Sequence, residues 1–257
     1  MTDEIPAELR AEYAAAEQRL AAARAAQPSP RPIAEVLAAI ATSAPMRDPA
    51  AAEREQRAIA ARDERIAKRD AAAARAASLA AITSIPVRRD LLEPILDGAV
   101  SATPAITAVR EWYDARSKPV LVLIGGVGSG KTVAAACLVV HARASSRHLV
   151  TAYAKMRDVA NLYRAGFGAD AAAFERLIVA GLLVIDELTT ERDIDLGRAA
   201  LHEVIDERGA HGRPTLLLAN RTKDEIRSRY DARTIDRLRE NAAVVELAAT
   251  SMRKGAW

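Results

Sequence analysis

Two regimes of hydrophobic patterning divide the chain. Up to about Ser84 the sequence is alanine, arginine and glutamate with few large apolar residues, and from about Val87 onward leucine, isoleucine and valine arrive in blocks. The first regime predicts helices separated by proline-rich breaks. These are one over 6–26, a short amphipathic piece carrying Ile33, Val36, Leu37 and Ile40, and a long helix over 50–80. Ile59 and Ile66 lie one heptad apart, with alanines at 73 and 80 keeping the register, a seam too weakly apolar for a stable coiled coil. This arm reads either as a solvated helix or as a helical segment that docks on a protein partner.

In the second regime the period switches between helix-like and strand-like spacing. Short helices are predicted around 91–96 and over 104–115, followed by the apolar run 120–124. Further strands fall at 149–153, 182–187, 215–219 and 244–247, alternating with helices at 133–144, 156–164, 174–179, 197–209 and 223–230. Such alternation predicts a parallel sheet with helices on both faces, whose ligands bind beyond the carboxyl ends of the strands. The expected division is a helical N-terminal extension over 1–84 and an α/β domain over 85–257.

Composition narrows the class. The chain has 257 residues, half of them apolar but only 4% aromatic, and a formal net charge of +3. That charge permits nucleic-acid contact without arguing for it. Basic and acidic residues balance over 1–80, so the arm does not read as a DNA-binding tail. One cysteine, Cys137, excludes a disulfide framework or a cysteine-rich zinc site, and its apolar neighbours predict a buried thiol. The N-terminus lacks the basic and apolar regions of a secretory signal, and no apolar stretch is long enough to span a bilayer. A soluble, cytoplasmic protein is expected.

The chemistry concentrates in four short segments. Directly after the run 120–124 comes Gly125-Gly126-Val127-Gly128-Ser129-Gly130-Lys131-Thr132, which fits the phosphate-binding pattern G-x-x-x-x-G-K-[ST]. Its glycines let consecutive N–H groups turn toward a polyphosphate, and the following helix adds its positive end. Lys131 would neutralise the β/γ-phosphates of a nucleotide, and the Thr132 hydroxyl would hold Mg²⁺. Four apolar residues ending in Asp186-Glu187 form the second segment. Adjacent carboxylates after a buried strand are costly unless a cation or hydrogen bonds compensate them. The segment resembles the second nucleotide-hydrolysis motif of P-loop ATPases, which implies Mg²⁺ binding through water for Asp186 and polarising of the attacking water for Glu187. The third is Thr215-Leu216-Leu217-Leu218-Ala219-Asn220. Its terminal amide could orient that water between the two motifs, although an asparagine at a strand end is otherwise a turn former.

Here the sequence resembles the AAA+ ATPases of the DnaC/IstB type, bacterial and phage helicase loaders and transposition helper ATPases. The resemblance covers about 90–257 and rests on the three segments above and on Arg233-Thr234-Ile235-Asp236-Arg237-Leu238. It implies an ATPase with ATP and Mg²⁺ as ligands and a catalytic set of Glu187, Asn220 and Arg237. Arg237 matches the finger that a neighbouring subunit supplies to ATP, and Arg253 in Ser251-Met252-Arg253 is similar to the family's terminal nucleotide-contacting arginine. Two departures stand out: Met252 replaces an aromatic residue, and Glu187 stands where many members carry a second aspartate.

The resemblance further implies single-stranded DNA contacts between the second strand and the acidic strand. Lys155, Arg157, Arg164 and Arg176 lie there with Tyr153, Tyr163 and Phe167, a combination that suits either a base-stacking groove or a solvated face over core aromatics. The function implied is loading of a replicative helicase onto single-stranded DNA, with self-association through the ATPase domain and helicase contact through the N-terminal helices. Alternatives are a transposition helper ATPase, a P-loop kinase and a non-catalytic nucleotide-dependent adaptor. The kinase is disfavoured by the acidic pair, Asn220 and Arg237.

Overall fold

A computed structural model of the protein describes residues 17–19, 22, 33–35, 49–146, 148–165 and 171–248. The predicted helix over 6–26, the segment 36–48, Phe167 and Arg253 therefore lie wholly or largely outside the described residues. The chain falls into two compact units, 1–65 and 66–257.

In the first unit, residues 50–65 form the leading half of helix α1 (Pro49–Thr83), and almost every side chain there is exposed. Alanine, arginine, glutamate and lysine dominate, all strong helix formers, and Arg57 pairs with Glu53 one turn away at 2.7 Å. Intrinsic propensity and local pairs hold this stretch rather than burial.

The second unit carries the core. After the end of α1 come a 3₁₀ turn (Arg89–Leu91), α2 (Leu92–Leu96) and α3 (Pro104–Ala115). Then strand and helix alternate: β1 (Val120–Ile124), α4 (Lys131–Ser145), β2 (Thr151–Lys155), α5 (Met156–Ala165), α6 (Ala171–Val179), β3 (Leu182–Leu188), α7 (Ile194–Ala210), β4 (Thr215–Ala219), α8 (Lys223–Arg229), α9 (Ala232–Asn241) and β5 (Ala242–Glu246). The five strands are parallel in the order β2-β3-β4-β1-β5. β4 is thus inserted between β1 and β3, so the ends of the three strands bearing the sequence motifs stand side by side.

Alternation along the strands builds a layer on each face. Leu121, Leu123, Leu182, Val184, Leu216 and Leu218 face one way, toward Ile82 of α1, Ile106 and Val109 of α3 and Leu138 of α4. Val120, Val122, Leu183, Ile185 and Leu217 face the other, toward Met156 and Val159 of α5 and Leu201, Val204 and Ile205 of α7. Covered on both faces, the central strands can be apolar at every position, as parallel strands of this class are. Cys137 on α4 is buried in the first layer, and burial pushes its thiol pKa up.

Helix starts follow local chemistry. Thr103 caps α3, with Pro104 as its first residue; Thr222 and Glu225 form a reciprocal capping box on α8; Asp231 caps α9. Strand and helix positions agree with the sequence pattern apart from shifts at their ends. β2 starts at Thr151, and Leu149, expected in the strand, packs against the first layer from the loop before it. Helix α9, absent from the periodicity reading, has the highly polar sequence ARTIDRLREN, in which only Thr234 and Leu238 are buried.

Candidate nucleotide site

The phosphate-loop residues connect β1 to α4 through backbone that only glycine adopts easily. Gly128 and Gly130 both have φ of 86°, in the left-handed region, and Gly130 is the N-cap of α4. Lys131, 5% exposed, folds back over the loop and donates to Gly125 O at 2.7 Å, Gly126 O at 2.9 Å and Ser129 Oγ at 3.1 Å. Burial lowers its pKa, partly opposed by the nearby Asp186 carboxylate. Gly126 and Val127 are exposed at the rim.

The acidic pair meets this loop. Thr132 Oγ1 donates to Asp186 Oδ2 at 3.2 Å, so the threonine hydroxyl and the first carboxylate converge beside the ammonium. This all-oxygen pair suits a hard divalent cation such as Mg²⁺, and the glycine curl with a lysine behind it suits a polyphosphate. Asn220 follows directly on β4, whose partners are β1 and β3, and its side chain is exposed. Sequence positions 125–132, 186, 187 and 220 are therefore brought to one end of the sheet.

Three features of the site were not foreseen. First, the strand pairing is interrupted by a register shift between Ile185 and Leu188, and Glu187 and Thr189 both take left-handed backbone, φ 56° and 78°. Such a conformation is uncommon for a non-glycine residue and an outlier for a β-branched one. Hydrogen bonds across the turn hold it: Glu187 N donates to Asp186 Oδ1 at 2.7 Å, and Thr190 Oγ1 donates to Glu187 O at 2.7 Å.

Second, β2 is part of the site. Its register sets Lys155 opposite Asp186. Tyr153 OH donates to Asp186 Oδ2 at 3.1 Å, and Lys155 Nζ pairs with Glu187 Oε1 at 2.7 Å. Burial, then the Asp186 and Glu187 charges, push the Tyr153 phenol pKa far up, so it stays a proton donor. Two side chains considered for DNA contact are thus engaged with the acidic pair. Of the others, Arg157 pairs with Asp158 and Arg164 with Asp193, both at the surface, while Tyr163 packs edge-on against Phe174. Arg176 is exposed.

Third, Arg237 on α9 is held within its own chain. It pairs with Asp206 of α7 and Glu240 of α9, each at 2.9 Å, and the Glu240 hydrogen bond and then Asp206 raise its pKa. At 40% side-chain exposure it remains reachable from outside.

A glycine cradle with a buried lysine, set against an acid-tipped strand on a parallel sheet, defines a P-loop nucleotide-binding protein. Residues 57–256 match the family described as IstB-like ATP binding protein, and the chain belongs to it. It is an ATP-binding AAA+ protein of the DnaC/IstB type. No curated protein matches the sequence. Among solved structures, the fold is similar to that of the DnaC helicase loader, with 15% identity over 63% of this chain and 100% of that one, TM-score 0.51. It is also similar to domain III of the Thermotoga maritima replication initiation protein DnaA, with 18% identity over 58% of this chain and 65% of that one, TM-score 0.51. A DNA replication initiation factor matches at 16% identity over 55% of this chain, TM-score 0.48, and the chain spans less than half, 44%, of its length. Among the described residues no helix is long and apolar enough to cross a membrane.

Proposed function

We propose that the protein is a Mg²⁺-dependent ATPase of DNA replication that loads a replicative helicase onto single-stranded DNA, with ATP as an assembly and release switch. The observation carrying the catalytic part is the convergence of Lys131, Thr132, Asp186, Glu187 and Asn220 at the ends of three neighbouring strands. The loop amides and Lys131 bind the phosphates of ATP. Thr132 and Asp186 would hold Mg²⁺, which offsets phosphate charge. Glu187 accepts the proton of the water that attacks the γ-phosphorus, as the bond to the bridging oxygen breaks and ADP leaves. Asn220 orients that water, and Arg237 of a neighbouring copy stabilises charge on the transferring group.

Two observations make this activity conditional. Glu187 is tied by Lys155, and Arg237 by Asp206 and Glu240, so both groups must exchange partners before they serve ATP. Turnover by the isolated chain is accordingly weak and rises with single-stranded DNA or on assembly. The loading role draws support from the family and from the resemblance in fold to a helicase loader, and it assigns partner contact to 1–84 and ATP to 85–257. The family description equally favours a transposition helper ATPase, which would bind duplex DNA and a transposase.

The test is capture of partners on full-length protein from its native host with ATP present, followed by ATPase assays with single-stranded and duplex DNA. Recovery of a replicative helicase and stimulation by single strands supports loading. Recovery of a transposase with stimulation by duplex transfers the protein to the second reading.

A further inference from the structure

Beyond the acidic pair, the chain from β3 to α7 carries a carboxylate that no motif accounts for. Glu191 is 3% exposed, and its Oε2 has no close hydrogen-bond partner among the described residues. Its charge bears on the buried Tyr230 phenol, whose pKa is pushed up by burial and then by Glu191. Its Oε1 takes Arg229 Nε at 3.3 Å, and Arg229 Nη2 donates to the Glu191 carbonyl at 2.5 Å. A half-satisfied buried carboxylate costs stability, and an apolar side chain would fill the same space more cheaply. The surroundings are nonetheless shaped for it. Gly197 sits in the first turn of α7, where a Cβ would lie 2.3 Å from Glu191 Cγ, so this helix carries glycine where the carboxylate stem crosses it.

The position of this ion pair supplies a reason. Glu191 lies two residues past Thr189, at the end of the left-handed turn that begins at Glu187. Strained backbone of this kind persists only where its surroundings over-determine it. Arg229 ends α8, its carbonyl accepts Arg198 Nε of α7 at 2.8 Å, and buried Tyr230 follows it. Asp231, next in the chain, caps α9, the helix of Arg237. One ion pair therefore ties the turn of the acidic pair to the root of α9.

We propose that Glu191 is a positioning residue for hydrolysis: clamped by Arg229 and seated over Gly197, it holds the Asp186–Glu187 turn in register with the start of α9. This rests on the ATPase reading above. In this role Glu191 acts through Glu187 rather than on phosphate or water: it fixes where Glu187 stands when Lys155 lets go. Losing the clamp leaves the phosphate loop intact, so nucleotide affinity and turnover separate.

The test measures fluorescent ATP-analogue affinity, DNA-stimulated turnover and thermal midpoint on the full chain for wild type, Glu191→Gln, Arg229→Met and their double variant. Affinity is expected within about twofold of wild type, and turnover of either single variant lower by about tenfold or more, as misplacement of a reacting group produces. The double variant should lose little beyond either single one, because the pair acts as a unit. Arg229→Met keeps the question open to measurement if Glu191→Gln does not fold. Turnover of Glu191→Gln within about twofold of wild type overturns the inference, as does a fall in affinity that matches the fall in rate. If wild type hydrolyses ATP and Glu187→Gln does not, such results remove this inference alone; a wild type without hydrolysis removes the ATPase reading and this one with it.

Discussion

Two buried cations stand at opposite ends of one sheet. Arg208, 0% exposed, lies at the ends where β3 and β4 begin and donates to five acceptors: the carbonyls of Leu177, Ile178, Ala180 and Pro214, and Thr215 Oγ1. Lys131 lies where β1 has ended and donates to two carbonyls and a hydroxyl of its own loop. Burial lowers both pKa values, Arg208 to about 10, which leaves it protonated at neutral pH. The difference lies in the acceptors. The fork of Arg208 is fully buried and spent on groups fixed in other elements, including the carbonyls at the end of α6, so it is a staple rather than a ligand site. Lys131 holds groups of a single glycine-rich loop, and a phosphate can replace them without disturbing the fold.

Substitutions at the two ends should therefore move different quantities. Arg208→Met takes the donor from the Leu177 and Ala180 carbonyls, while Ile178 O keeps Arg213 and Pro214 O keeps Leu183 N. It should cost about 3–5 kcal/mol, lowering the thermal midpoint by roughly 10 °C while ATP still binds the folded fraction. Lys131→Ala should do the opposite, weakening ATP-analogue affinity by about a hundredfold or more with the midpoint shifted by only a few degrees. A large loss of stability from Lys131→Ala, or of affinity from Arg208→Met at low temperature, would break the contrast. Glu187→Gln should lower stimulated turnover by about a hundredfold at unchanged affinity, measured as phosphate release. Lys155→Met frees Glu187 and should raise DNA-independent turnover by about threefold; a fall would make Lys155 a support for Glu187 rather than a restraint. The smallest effect is expected at the acid turn: Thr189→Gly relieves a left-handed β-branched residue and should raise the midpoint by about 2 °C.

The same contrast explains what the sequence could reveal. The phosphate loop and the acid-tipped strand were legible because each is a local pattern, glycines at set spacing or carboxylates closing an apolar run. That both lie at the carboxyl ends of parallel strands followed from strand–helix alternation; that Asn220 stands between them depends on the strand order, which the alternation does not give. The Lys155–Glu187 pair depends on β2 register across 32 residues, the Arg229–Glu191 pair on the path of α8 across 38, and the Arg208 staple on two loops closing at once. A lone lysine, glutamate or arginine in a polar stretch carries no local mark of such a partner. Gly197 was the nearest to one, since glycine in a helix costs about 1 kcal/mol relative to alanine and usually has a reason. Helix α9 escaped because its buried stripe is two residues wide and its polar face dominates the pattern.

Cys137 gives the molecule a practical property. The chain contains one cysteine, shut inside the layer between α4 and the sheet, and burial keeps it in the unreactive thiol form. Its labelling by a thiol reagent therefore reports how often that layer opens, with no engineering required. Any cysteine introduced at the surface, at Arg237 or along α1, reacts with a dye far faster than the buried native thiol.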